Sequence, residues 1–110
     1  MTRKFVMSDE FVKAWENMGL DDDDLQRLEK ELLADPEKGD LMQGTGGLRK
    51  LRFAFEGRGK SGSGRVCYVD FVVRECIYLV TAYSKSEKDN LSKGERNSVA
   101  KILKAIERTL

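Results

Sequence analysis

The chain contains no histidine, one proline and two cysteines among 110 residues. Without histidine there is no Ser/His/Asp or Cys/His nucleophile pair, and two cysteines make neither a structural zinc set nor a disulfide framework. The longest apolar run is Cys76 to Val80, far short of a membrane span, and Arg3 and Lys4 lead into Asp9 and Glu10 rather than into a signal sequence. A reducing cytosol is the compartment these absences favour, with no membrane partner. Glycine-rich phosphate binding of the P-loop type is excluded as well. Gly59-Lys60-Ser61 matches the end of that motif, but its first glycine would fall on Ala54, and a strand pattern follows where a helix is needed.

What is present is charge, 35% of residues, with a formal net value of only +1. The average conceals a division. Residues 1–40 hold 6 Lys/Arg against 12 Asp/Glu, whereas residues 49–65 hold Arg49, Lys50, Arg52, Arg58, Lys60 and Arg65 against Glu56 alone. A local cationic cluster concentrates anions even on a nearly neutral protein, and Lys and Arg contacts to phosphate supply the salt-sensitive part of nucleic-acid affinity.

Apolar spacing predicts the elements. Phe5 to Met7 reads as an edge strand. Ser8 or Asp9 offers a cap to a helix over 9–18, with Phe11, Trp15 and Met18 on one face and Gly19 at its end. Asp21 to Asp24 precede Leu25, Leu28, Leu32 and Leu33, so these carboxylates belong at a helix start, where the macrodipole favours them, rather than at a cation. That helix should end before Pro36. Gly39 to Gly47 shows no period, and from Leu48 the period becomes 2: Leu51, Phe53 and Phe55 share one face while Lys50 and Arg52 project from the other.

Glu56 to Gly64 reads as a glycine-rich hairpin loop. Two strands, Arg65 to Val73 and Cys76 to Tyr83, follow around a two-residue turn at Arg74-Glu75. That turn would place Tyr68 opposite Thr81, Val66 opposite Tyr83 and Val69 opposite Val80. One face then carries Cys67, Val69, Phe71, Tyr78, Val80 and Ala82 as core. The other carries Tyr68, Asp70, Thr81 and Tyr83 beside Val66, Val72, Ile77 and Leu79, which a C-terminal helix striped with Val99, Ile102, Leu103, Ile106 and Leu110 can cover. Cys67 and Cys76 lie too far apart in this register to bond, and serve as small core residues. The expected fold is one α+β domain spanning residues 1–110, two N-terminal helices on a mostly antiparallel sheet of about four strands, with a C-terminal helix at its edge or other face.

Arg, Lys and Tyr remain as chemical groups, and they suit one reaction. RNA carries its own nucleophile, the 2′-hydroxyl, so cleavage needs alignment, proton transfer and neutralisation of a phosphorane-like transition state, without metal or cofactor. A lysine among other cations is a plausible proton acceptor.

The run Gly44-Thr45-Gly46-Gly47-Leu48-Arg49-Lys50-Leu51-Arg52, then Gly57-Arg58-Gly59-Lys60 with Gly62 and Gly64, Arg65 before Tyr68, and Tyr83-Ser84-Lys85-Ser86-Glu87, resembles the RelE superfamily of bacterial toxins, especially its HigB-type branch. The resemblance implies a ribosome-dependent mRNA endoribonuclease that inhibits translation, acts on mRNA in the ribosome, uses no metal, and is held inactive by a cognate antitoxin with a DNA-binding helix-turn-helix. By position in the motif, Lys50, Arg52, Arg65 and Lys85 would be catalytic, with Lys50 or Arg52 the base and Arg65 the phosphate stabiliser. Arg49, Arg58 and Lys60 would hold the RNA backbone, and Tyr68 and Tyr83 could either stack on bases or serve in ordinary sheet packing. Val69 and Ser86 replace an aromatic and an asparagine common in relatives. Arg65 has core-face parity in the register above, so a bulge or the loose strand end would have to redirect it. The superfamily also contains gyrase-binding toxins without nuclease activity, which are the alternative.

Overall fold

In a computed structural model, residues 3–55, 62–85 and 90–109 are described. The chain runs β1 (Lys4–Met7), α1 (Asp9–Asn17), α2 (Asp22–Ala34), β2 (Asp40–Leu41), β3 (Arg49–Ala54), β4 (Ser63–Phe71), β5 (Cys76–Ser84) and α3 (Lys93–Glu107), with one 3-10 turn at Val72–Arg74. The sheet has five strands in the order β1-β5-β4-β3-β2. Every neighbouring pair is antiparallel except β1 with β5, which run parallel. The α+β expectation therefore holds, with the sheet one strand larger than the pattern suggested.

Local chemistry sets the helix ends. The Ser8 hydroxyl accepts from the Phe11 amide at 2.9 Å and donates to the Val80 carbonyl at 2.5 Å, so one side chain starts α1 and ties it to β5. Asp21 caps α2 in a reciprocal box: its carboxylate accepts from the Asp24 amide at 3.1 Å, and the Asp24 carboxylate accepts from the Asp21 amide at 2.9 Å. The aspartate run is thus a helix start. Asp35, beyond the last turn, and Pro36 close α2.

The sheet is covered on both faces. On one, Phe11 and Trp15 of α1 and Leu28 and Leu32 of α2 pack against Leu51, Phe53, Val66, Tyr68, Ile77, Leu79 and Ala82. Burying each large side chain contributes about 1.5–3 kcal/mol, so the two short helices are held mainly by this face. Trp15 stacks on Phe11 with centroids 5.4 Å apart, and its indole nitrogen donates to the Asp21 carbonyl at 3.2 Å. On the opposite face, Leu91 and Leu103 meet Met42, Leu48, Cys67, Val69, Phe71, Cys76, Val80 and Tyr83, with Val99 and Ile106 at the margin.

This arrangement corrects the expected covering. Val66, Ile77 and Leu79 lie under α1 and α2, and α3 covers the face of Cys67 and Val69. Val72 lies in the turn and is exposed. The register differs too. The β4–β5 connection is the 3-10 turn followed by Glu75 in the left-handed region (φ 52), so Phe71 pairs with Cys76, Val69 with Tyr78 and Tyr68 with Leu79. Beyond Tyr68 the pairing shifts by one, with Cys67 opposite Thr81 and Val66 opposite Ala82, which leaves Val80 as the extra residue of a bulge. The bulge exchanges the faces of Ala82 and Tyr83, so Tyr68 and Tyr83 lie on opposite sides of the sheet. Cys67 and Cys76 are free, buried thiols, as their spacing suggested. Burial pushes the Cys76 thiol up.

Candidate nucleic-acid interface

The glycine-rich run before β3 is a turn. Met42 and Leu48 hydrogen-bond across it, amide to carbonyl, at 2.9 Å. Inside, the buried Thr45 hydroxyl donates to the Met42 carbonyl at 2.6 Å and accepts from the Leu48 amide at 3.1 Å. Gly46 and Gly47 take φ values of 77 and 117, which glycine adopts without strain. The motif therefore makes a rigid β2–β3 hairpin that delivers Arg49 to Ala54 as a straight strand.

Strand pairing then decides where each cation points. Lys50 is opposite Cys67 and Arg52 is opposite Arg65, so all four share a face, and it is the face that α3 covers. On β5, Tyr83 is opposite Arg65. Lys85 follows Tyr83 by two residues, and its amide donates to the Ser63 carbonyl at 3.1 Å. The α3 face thus has two halves. Beneath α3 it is apolar, and toward the β3–β4 hairpin it carries Lys50, Arg52 and Arg65 side by side, with Lys85 following β5.

Arg65 needs no redirection. Its core-face parity is correct, and the β3–β4 register brings the Lys50 and Arg52 face to it. The side chain is 8% exposed, its Nη1 donating to the Ser63 hydroxyl and the Gly64 carbonyl, both at 3.2 Å. Arg65 thus stands directly across the strand pair from Arg52, two guanidinium side chains on one face. Lys50 is half-buried and donates to the Asn90 side-chain oxygen. Arg52 is exposed.

Three expected RNA contacts fall elsewhere. Tyr68 is 0% exposed; its hydroxyl donates to the Pro36 carbonyl at 2.8 Å and accepts from the Gly39 amide at 3.0 Å. No ring face is open to a base, and burial pushes this phenol up, with the Gly39 bond partly opposing. Arg49 points to the side opposite Lys50, where its Nη1 donates to the carbonyls of Gly39 at 2.9 Å and Glu37 at 3.2 Å. It therefore clamps the segment leading into β2. Tyr83 is on the cationic face but only 4% exposed, so it forms a wall beside Arg65 rather than a platform. Arg58 and Lys60 lie outside the described residues.

The sequence reading missed Asn90 and Arg96. Together with Lys50, Asp40 and Gln43 they line a shallow pocket of about 280 Å³ between the β2–β3 hairpin and the start of α3. One signal was available: Lys93 and Arg96 sit near the N-terminus of a helix, where the macrodipole disfavours cations. Among the described residues no group of three or more His, Cys, Asp or Glu could hold a metal ion. No helix among them is long and apolar enough to cross a membrane.

A small mixed sheet, helices on both faces and a cationic half-face built on strands define a class of compact α+β proteins with a cationic sheet surface. Residues 3–109 match the sequence profile described as "RelE toxin of RelE / RelB toxin-antitoxin system". The chain belongs to the RelE toxin family. A double arginine-to-alanine mutant of the E. coli toxin RelE, solved in the free state, superposes with a TM-score of 0.57 at 17% identity, covering 100% of both chains. At that identity the likeness is one of fold.

Proposed function

We propose that this toxin is a ribosome-dependent mRNA endoribonuclease that cleaves without a metal by using the RNA 2′-hydroxyl, and that it belongs to the HigB-type branch. The observation that carries the reading is the register that sets Arg52 directly opposite the buried Arg65, with Lys50 one step along the same face. An RNA phosphate between the two arginines is held from both sides, and its charge grows as the transition state forms.

In the proposed reaction the 2′-hydroxyl oxygen attacks the adjacent phosphorus. Its proton passes to Lys50 in the neutral amine form, with the Arg52 guanidinium beside it as a fixed positive charge, and the bond to the 5′-oxygen of the next nucleotide breaks. That oxygen takes up a proton, giving a 2′,3′-cyclic phosphate and a 5′-hydroxyl. In this reading Arg65, held by hydrogen bonds to Ser63 and Gly64, stabilises the equatorial oxygens. Lys85, exposed just past β5, is the further cation of the set. The partner implied by the family is an antitoxin that neutralises this face, with a DNA-binding helix-turn-helix of its own. The toxin's place of action is the cytoplasm.

The test is message mapping. Primer extension after induction should show new, codon-phased 5′ ends with the native protein and none with Lys50→Gln/Arg52→Gln. Full cleavage by the double variant would overturn the assignment. Intact messages accompanied by DNA damage would favour a gyrase-binding toxin instead.

A further inference from the structure

The pocket beside Lys50 is not needed to hold the reacting phosphate, and its charges are arranged unusually. Arg96, in the first turns of α3, lines it from one side and Lys50 from the other. The Arg96 side chain makes no hydrogen bond or ion pair among the described residues, and its Nε is closed off from solvent without an acceptor. A second depression of about 490 Å³, lined by Gln43, Gly44, Lys93, Arg96 and Asn97, continues from it past the same arginine. Among the described residues that line the two, Asp40 is the one carboxylate, and it sits opposite Lys50 in the β2–β3 register. Among the described residues, three cations and the N-terminal end of α3 thus converge on a surface with one carboxylate.

We infer that this pocket, with Arg96 as its principal donor, binds a second phosphate of the RNA strand, flanking the one that reacts. The inference rests on the ribonuclease reading. A guanidinium lacking an acceptor, at the edge of both depressions, is matched by a phosphate whose oxygens take its Nη donors, with the enclosed Nε sensing the charge from behind. Continuity argues for the same strand. Lys50 and Arg52 are two residues apart on β3, about 7 Å at strand rise, and Lys50 belongs both to the reacting row and to the pocket. A strand lying across Arg65 and Arg52 reaches Arg96 by passing Lys50. Arg96 is then a positioning residue that sets the register of the message over the row and does no chemistry.

The test uses the full chain and a fluorescent 2′-O-methyl RNA hexanucleotide, which binds but cannot be cleaved. Arg96→Gln should weaken binding about tenfold and make the salt dependence shallower by about 0.7 in log–log slope, the share of one phosphate contact on a single strand. Lys101→Gln, on an exposed position of the same helix, should change neither. In translation-coupled cleavage, Arg96→Gln should raise the half-saturating concentration and leave the saturated rate unchanged. A measurement needing no variant is the Arg96 Nε–H signal of the ¹⁵N-labelled protein, which should shift saturably with inorganic phosphate. Wild-type affinity and slope in Arg96→Gln, or an unmoved Arg96 signal, would overturn the inference while leaving the ribonuclease reading intact. Absence of translation-coupled cleavage by the unaltered protein would overturn both.

Discussion

Tyr68→Phe separates packing from RNA contact at the position where sequence and structure disagree most. The substitution keeps the ring, which is 0% exposed, and deletes one oxygen that makes two hydrogen bonds, to the Pro36 carbonyl at 2.8 Å and from the Gly39 amide at 3.0 Å. Each such bond contributes about 0.5–1.5 kcal/mol net, and both former partners are left facing a hydrocarbon edge, so the loss should be about 1–3 kcal/mol. Against a total of about 5–15 kcal/mol for a domain of this kind, that is a large fraction. Urea unfolding should show a lower midpoint with an unchanged slope, because the surface exposed on unfolding is the same. Oligonucleotide affinity should be that of the native chain wherever the variant is folded. An unchanged midpoint together with weakened RNA binding would refute the packing role and return Tyr68 to the interface. Alkaline pH offers a second view of the same residue. Its folded pKa is raised by burial, so the unfolded phenol ionises first. The contribution to stability is therefore complete below the ordinary tyrosine range and falls as pH climbs from there toward the raised value. The phenylalanine variant should lose that part of the alkaline decline and keep the part due to Tyr78, whose pKa burial also raises.

Gly39→Ala should destabilise by about 1–3 kcal/mol by overpacking, because a Cβ there would stand 2.9 Å from Tyr68 Cε1 and 3.0 Å from the Lys50 carbonyl oxygen; thermal unfolding checks it. Asp21→Ala removes the cap of α2 and should cost about 0.5–2 kcal/mol, read as a lower urea midpoint, with saturated cleavage unaltered since α2 lies on the opposite face from the cationic row. Cys67 and Cys76 are 0% and 4% exposed, so a thiol reagent at pH 8 should label both at the rate of unfolding, and both promptly in denaturant. Fast labelling of either in the native protein would show that the α3 face opens.

The helices and β3 were legible because their signals are local. Ser8, the aspartate run, Gly19 and Pro36 punctuate a 3.6 period, and Leu51 and Phe53 alternate with Lys50 and Arg52. What escaped were features set by long-range pairing. A two-residue β2 has no period to read. Glu75 adopts a left-handed φ of 52 that nothing in Val72-Val73-Arg74-Glu75 announces, and the resulting turn moves the β4–β5 register. The Val80 bulge then sends Tyr83 to the face opposite Tyr68. The same limitation acted on the site. Lys50 and Arg52 could be paired from sequence alone, and Arg65 joins them by its place in the motif, but only the β3–β4 register explains its face; Arg49, one residue away, is assigned to the interface by the motif although alternation turns it to the other side.

The parallel pairing of β1 with β5 has a consequence for how the toxin comes into being. Lys4 meets Cys76, so the first strand made waits for the last, and the loop closed by their meeting contains every other strand. Such distant partners make a slow, late step in folding. The cationic row draws on β3, β4 and the turn after β5, so a nascent chain still short of residue 85 can pair Lys50, Arg52 and Arg65 on a two-strand hairpin but has neither the Tyr83 wall nor Lys85 beside them. The full set of four comes together only when β5 docks.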